Sequence, residues 1–265
     1  MDDSTRFSGS VPEHYDTGLG PVLFQHYADV LGEEVALSRP HRILETAAGT
    51  GISSAAIAAH NPEAELVITD LNDGMLELAR TKVPESTRIQ VADAQALPFE
   101  EGSFDTVACQ FGVMFLPDPA AGFSEARRVL APGGVFLFSV WDSHANNRFA
   151  AIVDGLLRER FPDDPPPFYR VPFGMSDVEA LRERAQAAGF GRVVIDVLPY
   201  ETEVASWQGF ADGLILGNPL ADQVRSRSGD LPALIAATAG RLEAEYGRAP
   251  VAIPVQAIVC RAFVR

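Results

Sequence analysis

Three acidic residues stand where apolar runs stop: Glu45 closes RILE, Asp70 closes ELVITD and Asp93 closes TRIQVAD. Between the first two lies the turn TAAGTG, Thr46 to Gly51, with glycines where a backbone must approach a ligand and where a following helix must pack closely on its strand. Asp70 falls 19 residues beyond Gly51. A carboxylate at that place accepts both hydroxyls of a ribose and repels a 2'-phosphate. A pyrophosphate favours bare amides at a helix N-terminus, so an acidic residue at the turn disfavours it. A ligand carrying an ammonium and a sulfonium suits such a mouth better than a dinucleotide does.

Elements must bring these residues to one edge. From Arg42 to Trp141, strand runs alternate with helical spacing, the pattern of a parallel α/β sheet covered on both faces. The strands are RILE, ELVITD, TRIQVAD, FDTVACQFG and GGVFLFSVW; the helices are GISSAAIAAH, DGMLELARTK and AAGFSEARRVL, with APGG as a stop. Ligands of such sheets bind beyond the carboxyl ends of the strands, where the three acids stand. After Trp141 the pattern changes to a helix and a proline cluster, DDPPP, that suits neither helix interior nor central strand. Ser176 and Glu179 form a capping box opening SDVEALRERAQAAGF, and Gly189 closes it. RVVIDVLPYETEV and PVQAIVCRAFVR read as two more strands, with about 45 residues of helical pattern between them.

Composition narrows the function. With 265 residues and 47% hydrophobic content the chain can bury a large core, and its net charge of -15 repels nucleic acid and anionic membranes. Lys82 is the sole lysine, which removes most lysine chemistry. Cys109 and Cys260 are far apart and lack metal-ligand spacing, so they read as free thiols in a reducing compartment, with no metal expected. No secretory signal pattern and no run of 18 apolar residues is present, and a cytoplasmic protein without a membrane span is expected.

ETAAGTG, VITDLNDGML, VADAQALPF, CQFGVMFLPD and LAPGGVFLFSVWD follow in the order and spacing of the class I S-adenosylmethionine-dependent methyltransferases. The chain resembles the branch that includes the quinone C-methyltransferases of ubiquinone and menaquinone synthesis, over about 100 residues. Ala47 replaces the family's first glycine, while Gly49 and Gly51 are kept; an alanine is tolerated there if its φ is negative. The resemblance implies S-adenosyl-L-methionine as cofactor and S-adenosyl-L-homocysteine as product. It also implies a Rossmann-like seven-stranded sheet, mostly parallel, whose last strand runs antiparallel. Helices lie on both faces, with helical cap insertions. Glu45, Ala47, Gly49 and Gly51 would form the turn; Asp70 would hold the ribose, with Leu71 and Met75 near the adenine. Asp93 and the amide of Ala94 would meet the adenine edge, and Gln110 the methionine part. SVPEHYDTGLGPVLFQHYADVL resembles the family's lid helices, with Tyr15 approaching the cofactor. The segments are then 1–40 lid, 41–142 cofactor-binding core, 143–175 cap insertion, 176–205 core helix and strand, 206–250 helical cap insertion and 251–265 final strand.

Methyl transfer from a sulfonium is an in-line displacement, in which the protein aligns the reactants and excludes water. A base is needed only where the nucleophile must lose a proton. His14, His26, His144 and Tyr15 are the candidates by position, with His144 the best placed, although a lone histidine is more often structural. Phe149, Phe161, Phe168, Tyr169, Phe173, Trp207 and Phe210 fall in the inserted segments. Most suit the cap's own core, and some an apolar pocket for a small hydrophobic or aromatic acceptor. DPPPFY resembles the signature of adenine-methylating DNA enzymes but falls in the insertion and not after the fourth strand. Two other classes stay open. A nicotinamide-dependent oxidoreductase of the short-chain kind would need a tyrosine four residues before Lys82, where Leu78 stands. A cofactor-binding regulatory module without turnover would use the same binding residues.

Overall fold

The computed structural model describes residues 11–265. Residues 1–10 of the lid segment expected at 1–40 lie outside the described residues. The first described segment is helical: α1 (Val11–His14), a π-helical stretch (Tyr15–Phe24) and α2 (Gln25–Leu37).

Seven strands form one sheet: β1 (Arg42–Glu45), β2 (Glu65–Asp70), β3 (Arg88–Val91), β4 (Phe104–Gln110), β5 (Leu130–Trp141), β6 (Arg192–Val204) and β7 (Val251–Phe263). Their order is β3-β2-β1-β4-β5-β7-β6. The pairs from β3 to β5 are parallel, whereas β7 is antiparallel to both β5 and β6, which therefore run the same way. The chain reverses direction between β1 and β4, and this switch point opens the crevice at the carboxyl edge. The expected seven-stranded sheet with an antiparallel last strand is the one observed.

β1, β4 and most of β5 are buried on both faces, which is why they read as continuous apolar runs instead of alternating ones. One face of the sheet packs on Leu31, Val35, Ile57 and Leu76. The other packs on a larger cluster that joins the lid, β4, β5 and the cap. Helices α3 (Ile52–His60), α4 (Asp73–Arg80), α5 (Pro119–Val129) and α7 (Val178–Ala187) surround the sheet, and α6 (Arg148–Arg160) leads into the cap. Two of these starts have a side-chain cap of their own: the side chain of Asn72 accepts the Met75 amide, and that of Asp118 accepts the Ala121 amide with Pro119 following. At α7 the sequence expectation is off by one residue. Asp177, not Ser176, is the N-cap, because its Oδ1 accepts the amides of both Glu179 and Ala180. Gly189, with φ of 95°, follows the last turn as expected.

The cap is completed by α8 (Trp207–Leu216), α9 (Leu220–Ser226) and α10 (Leu231–Tyr246). β5 pairs with β7 only from Ala257 onward, so the β6–β7 pair continues past it as a two-stranded ribbon leading into these helices. The lid docks on that ribbon: Tyr27 Oη donates to the Leu198 carbonyl at 3.0 Å, and Thr202 Oγ1 donates to that of Val22 at 2.6 Å. Among the described residues no helix is long and apolar enough to cross a membrane.

Candidate active site

The carboxyl ends of β1, β2 and β4 converge beneath the lid. A cavity of about 30 Å³ lies there, lined by Tyr15 and Phe24 of the lid, Ala47 to Thr50 of the turn, Ile52 and Ser53 of α3, and Gln110 and Phe111 after β4.

The turn is held from both sides. Asp70, at the end of β2, accepts the Gly49 amide on Oδ2 at 2.9 Å and the Asn72 amide on Oδ1 at 2.8 Å. The Leu71 amide also bonds the carboxylate, and with roughly four acceptor sites capacity remains for a further donor. Burial raises the pKa of Asp70 and the backbone amides partly offset that. Gly49 has φ of 55° and faces open space where a Cβ would project, as a close ligand approach requires. Gly51, with φ of 82°, serves packing instead, since a Cβ there would sit 2.7 Å from the Ala79 Cα of α4.

Ala47 answers the question its sequence raises, but not in the way expected. Its φ is 52°, so the residue lies in the left-handed region that a glycine would enter without penalty. The methyl group has room because Gly112 faces it: a Cβ on Gly112 would lie 2.5 Å from the Ala47 Cβ.

Glu45 does not offer its charge to the cavity directly. The side chain is fully buried and accepts hydrogen bonds from the Ser53 and Ser54 hydroxyls in the first turn of α3. Burial pushes its carboxyl up to about 7, against the pull of the two hydroxyls. Ser53 both lines the cavity and donates to Glu45, so its remaining lone pairs are directed by that bond.

On the nucleoside side, Leu71 after β2 and Val91 at the end of β3 are exposed, 61% and 49%, beside Asp70. Met75 is buried in the first turn of α4. Asp93 follows β3 and holds the Gln95 amide and side chain, and Ala94 lies between them. Gln110 donates through Nε2 to the Phe24 carbonyl at 3.0 Å, joining β4 to the lid.

Of the candidate bases, only Tyr15 lines the cavity. Its ring stacks on Phe24 at 4.7 Å, and burial together with the charges of Asp70 and Asp16 raises its pKa further above the phenol range, so it is neutral at pH 7. His26 stacks on Tyr200 at 3.5 Å, where burial lowers its pKa. His144 donates through Nε2 to the Tyr169 carbonyl at 2.9 Å and touches Phe173. His14 ends α1 and is not among the residues around the cavity. Among the described residues no group of three metal-ligating side chains occurs.

Phe149, Phe168, Tyr169, Phe173, Trp207 and Phe210 are buried in the large cluster and Phe161 packs against it, so most of the inserted aromatics are cap core. Phe149 and Phe173 also reach Trp141, whose ring stacks on Phe111 at 4.2 Å. Phe111 and Phe24 are site residues that sequence reasoning missed. Phe111 directly follows Gln110, and its position in CQFG is the only signal; its φ of 49° is not legible in a phenylalanine.

Residues 44–138 match the model of the family described as methyltransferase domain. The demethylmenaquinone methyltransferase of Clavibacter sepedonicus is 46% identical over 95 residues, 35% of this chain and 38% of that protein. The malonyl-[acyl-carrier protein] O-methyltransferase of Geobacter sulfurreducens is 38% identical over 104 residues, 38% of this chain and 39% of that protein. The matches thus span less than half the length of these relatives. The structure of phosphoethanolamine N-methyltransferase 2 from Haemonchus contortus, in complex with S-adenosyl-L-methionine, superposes with a TM-score of 0.58 at 17% identity, over 99% of this chain and 59% of that one. Residues 44–138 therefore resemble a methyltransferase domain, and the seven-stranded Rossmann-like sheet that carries them is the fold of that solved methyltransferase.

Proposed function

We propose that the chain transfers the methyl group of S-adenosyl-L-methionine to a small apolar or aromatic acceptor. The observation that carries this is the turn: Asp70 braces Gly49, and the space before Gly49 is open to a ligand that needs close backbone approach. The residues fit that cofactor. Asp70 has acceptor capacity for a ribose hydroxyl, Leu71 and Val91 expose apolar surface beside it, and Asp93 offers a carboxylate at the next strand end. Ala47, Gly49, Ser53 and Gln110 would surround the amino-acid part. When bound, the cofactor supplies a methyl carbon made electrophilic by the attached sulfonium.

The chain's own residues supply alignment and dryness. Tyr15, Phe24 and Phe111 cover the crevice, Trp141 backs Phe111, and the cap aromatics fill the space behind. These rings favour a planar, uncharged acceptor. None of the histidines lines the cavity and the Tyr15 phenol holds its proton, so the acceptor is one that needs no strong protein base. The curated relative named for demethylmenaquinone methylation fits that class. Parallel calorimetry with S-adenosyl-L-methionine and NAD, on cofactor-free protein, tests the binding half. Binding of the first alone is expected, and binding of NAD instead would overturn the proposal. A panel of quinols and phenols with methyl-labelled cofactor tests transfer, and tight binding without transfer to any member would favour a regulatory module.

A further inference from the structure

The lid is fastened unequally on its two sides. Toward the cap, Gly18 and Gly217 bring backbone against backbone: a Cβ on Gly18 would lie 2.8 Å from the Gly213 Cα, and one on Gly217 would lie 3.0 Å from the Tyr15 Cα. The π-helical stretch and α8 are therefore packed as one body. Toward the cofactor half, the ionic fastening is Asp16. Its Oδ1 accepts the Thr50 hydroxyl at 2.8 Å, and the same oxygen pairs with the ammonium of Lys82, the only lysine in the chain. Thr50 belongs to the turn and Lys82 follows α4, so one carboxylate ties the lid to both walls of the nucleotide-binding half.

That position has a steric consequence. The partly open cavity of about 30 Å³ has room for roughly one water, whereas pockets for drug-sized ligands run to about 300–1,000 Å³. Tyr15 and Phe24 line it, and both belong to the segment that Asp16 fastens. The amino-acid part of a nucleoside–amino acid ligand fits beside the turn only when that segment lifts, and the lift breaks the Asp16 contacts with Thr50 and Lys82.

We propose that the Asp16–Lys82 pair, braced by Thr50, is a latch that sets the rate of cofactor exchange. The proposal rests on the cofactor reading given above. With the latch weakened, the open state is more populated, and both entry and release quicken. The pair is only about a quarter exposed, so salt screens it less than a surface pair.

Two variants test it, Asp16→Asn and Lys82→Met, with circular dichroism to establish that each is folded. Hydrogen exchange of the amides in residues 15–24, measured without ligand, reads the fastening itself. Stopped-flow association and dissociation of S-adenosyl-L-methionine read its effect on exchange. Both variants are expected to speed amide exchange and both cofactor rates by about tenfold, and the double variant by no more than either single. Unchanged amide exchange overturns the latch. Faster amide exchange with unchanged cofactor rates overturns its role as a gate. Faster amide exchange with no cofactor binding to any form leaves the fastening standing and removes the cofactor reading instead.

Discussion

The Ala47–Gly112 contact makes a quantitative test of how the turn accommodates its alanine. In Gly112→Ala the new Cβ would sit 2.5 Å from the Ala47 Cβ and 2.7 Å from Cys109 Sγ, both far inside contact distance. Gly112 has φ of -103°, which alanine adopts freely, so the cost is steric. Overpacking of this kind costs about 1–3 kcal/mol, and two simultaneous clashes put Gly112→Ala near the upper end. Ala47→Gly alone has opposing terms: relief of left-handed strain of about 1–2 kcal/mol, against roughly 0.4–1 kcal/mol of added unfolded-state entropy and up to about 0.8 kcal/mol for the lost methyl contact. The single variant should therefore fall within about 1 kcal/mol of wild type. Combined, the two should be non-additive, with Ala47→Gly recovering about half of the Gly112→Ala loss because the Cys109 clash remains. Urea unfolding of the four proteins gives the coupling energy directly, expected at about 1 kcal/mol or more. Additivity within about 0.5 kcal/mol would refute the contact as the reason the turn tolerates alanine.

Glu45 titrates against stability. Its folded pKa of about 7 lies above the ordinary 4.5. Between those values the native state keeps a proton that the unfolded state loses, so this contribution is full below pH 4.5 and is lost as pH rises through 7. At about 1.4 kcal/mol per pH unit over that interval the loss is on the order of 3 kcal/mol, so Glu45→Gln should gain on wild type between pH 5 and 8; parallel denaturation curves with no such gain would contradict the assignment. Asp70→Ala should weaken S-adenosyl-L-methionine binding by about tenfold or more, read by calorimetry, and equal affinity would mean the ribose contact is misplaced. His144→Ala should cost about 1 kcal/mol of stability through the lost bond to the Tyr169 carbonyl, without altering the pH–rate profile of methyl transfer; a lost ionisation in that profile would restore it as a base.

The sheet was legible because its strands are the doubly buried kind, whose continuous Val, Ile and Phe runs end on polar residues at the carboxyl edge. Spacing alone put Asp70 at the end of the strand after the turn, but not its bond to the Gly49 amide at 2.9 Å. Burial was not legible. Glu45 looks in sequence like a charge at the mouth, yet Ser53 and Ser54 enclose it under α3, since a hydroxyl pair one helical turn away carries no sequence mark of direction. Positive φ at Ala47 and Phe111 was equally hidden, because neither residue type advertises a left-handed conformation. The Asp16–Lys82 pair spans 66 residues, and no local pattern joins them.

In the proposed function, the choice of acceptor sits outside the stretch that matches the methyltransferase-domain family. The matched stretch, 44–138, contains the turn, Asp70, Asp93, Gln110 and Phe111, all on the cofactor side or at its border. Tyr15 and Phe24 precede it; Trp141, Phe149, Phe168 and Phe173 follow it. Relatives named for different acceptors, one a demethylmenaquinone and one a malonyl-[acyl-carrier protein], match the chain over 95 and 104 residues at 46% and 38% identity. Similarity over so short a stretch to relatives with different acceptors leaves the second substrate free to vary. The two halves meet where Phe111 stacks on Trp141 and Phe115 on Phe168, at 4.2 Å and 6.2 Å. Substitutions on the cap side of that border, such as Phe173→Ala, should shift acceptor preference while S-adenosyl-L-methionine affinity stays within about threefold, because no cap residue lines the cavity beside the turn. Calorimetry and competition between acceptors check the two halves separately, and a parallel loss of cofactor affinity would show that cap and cofactor half act as one site.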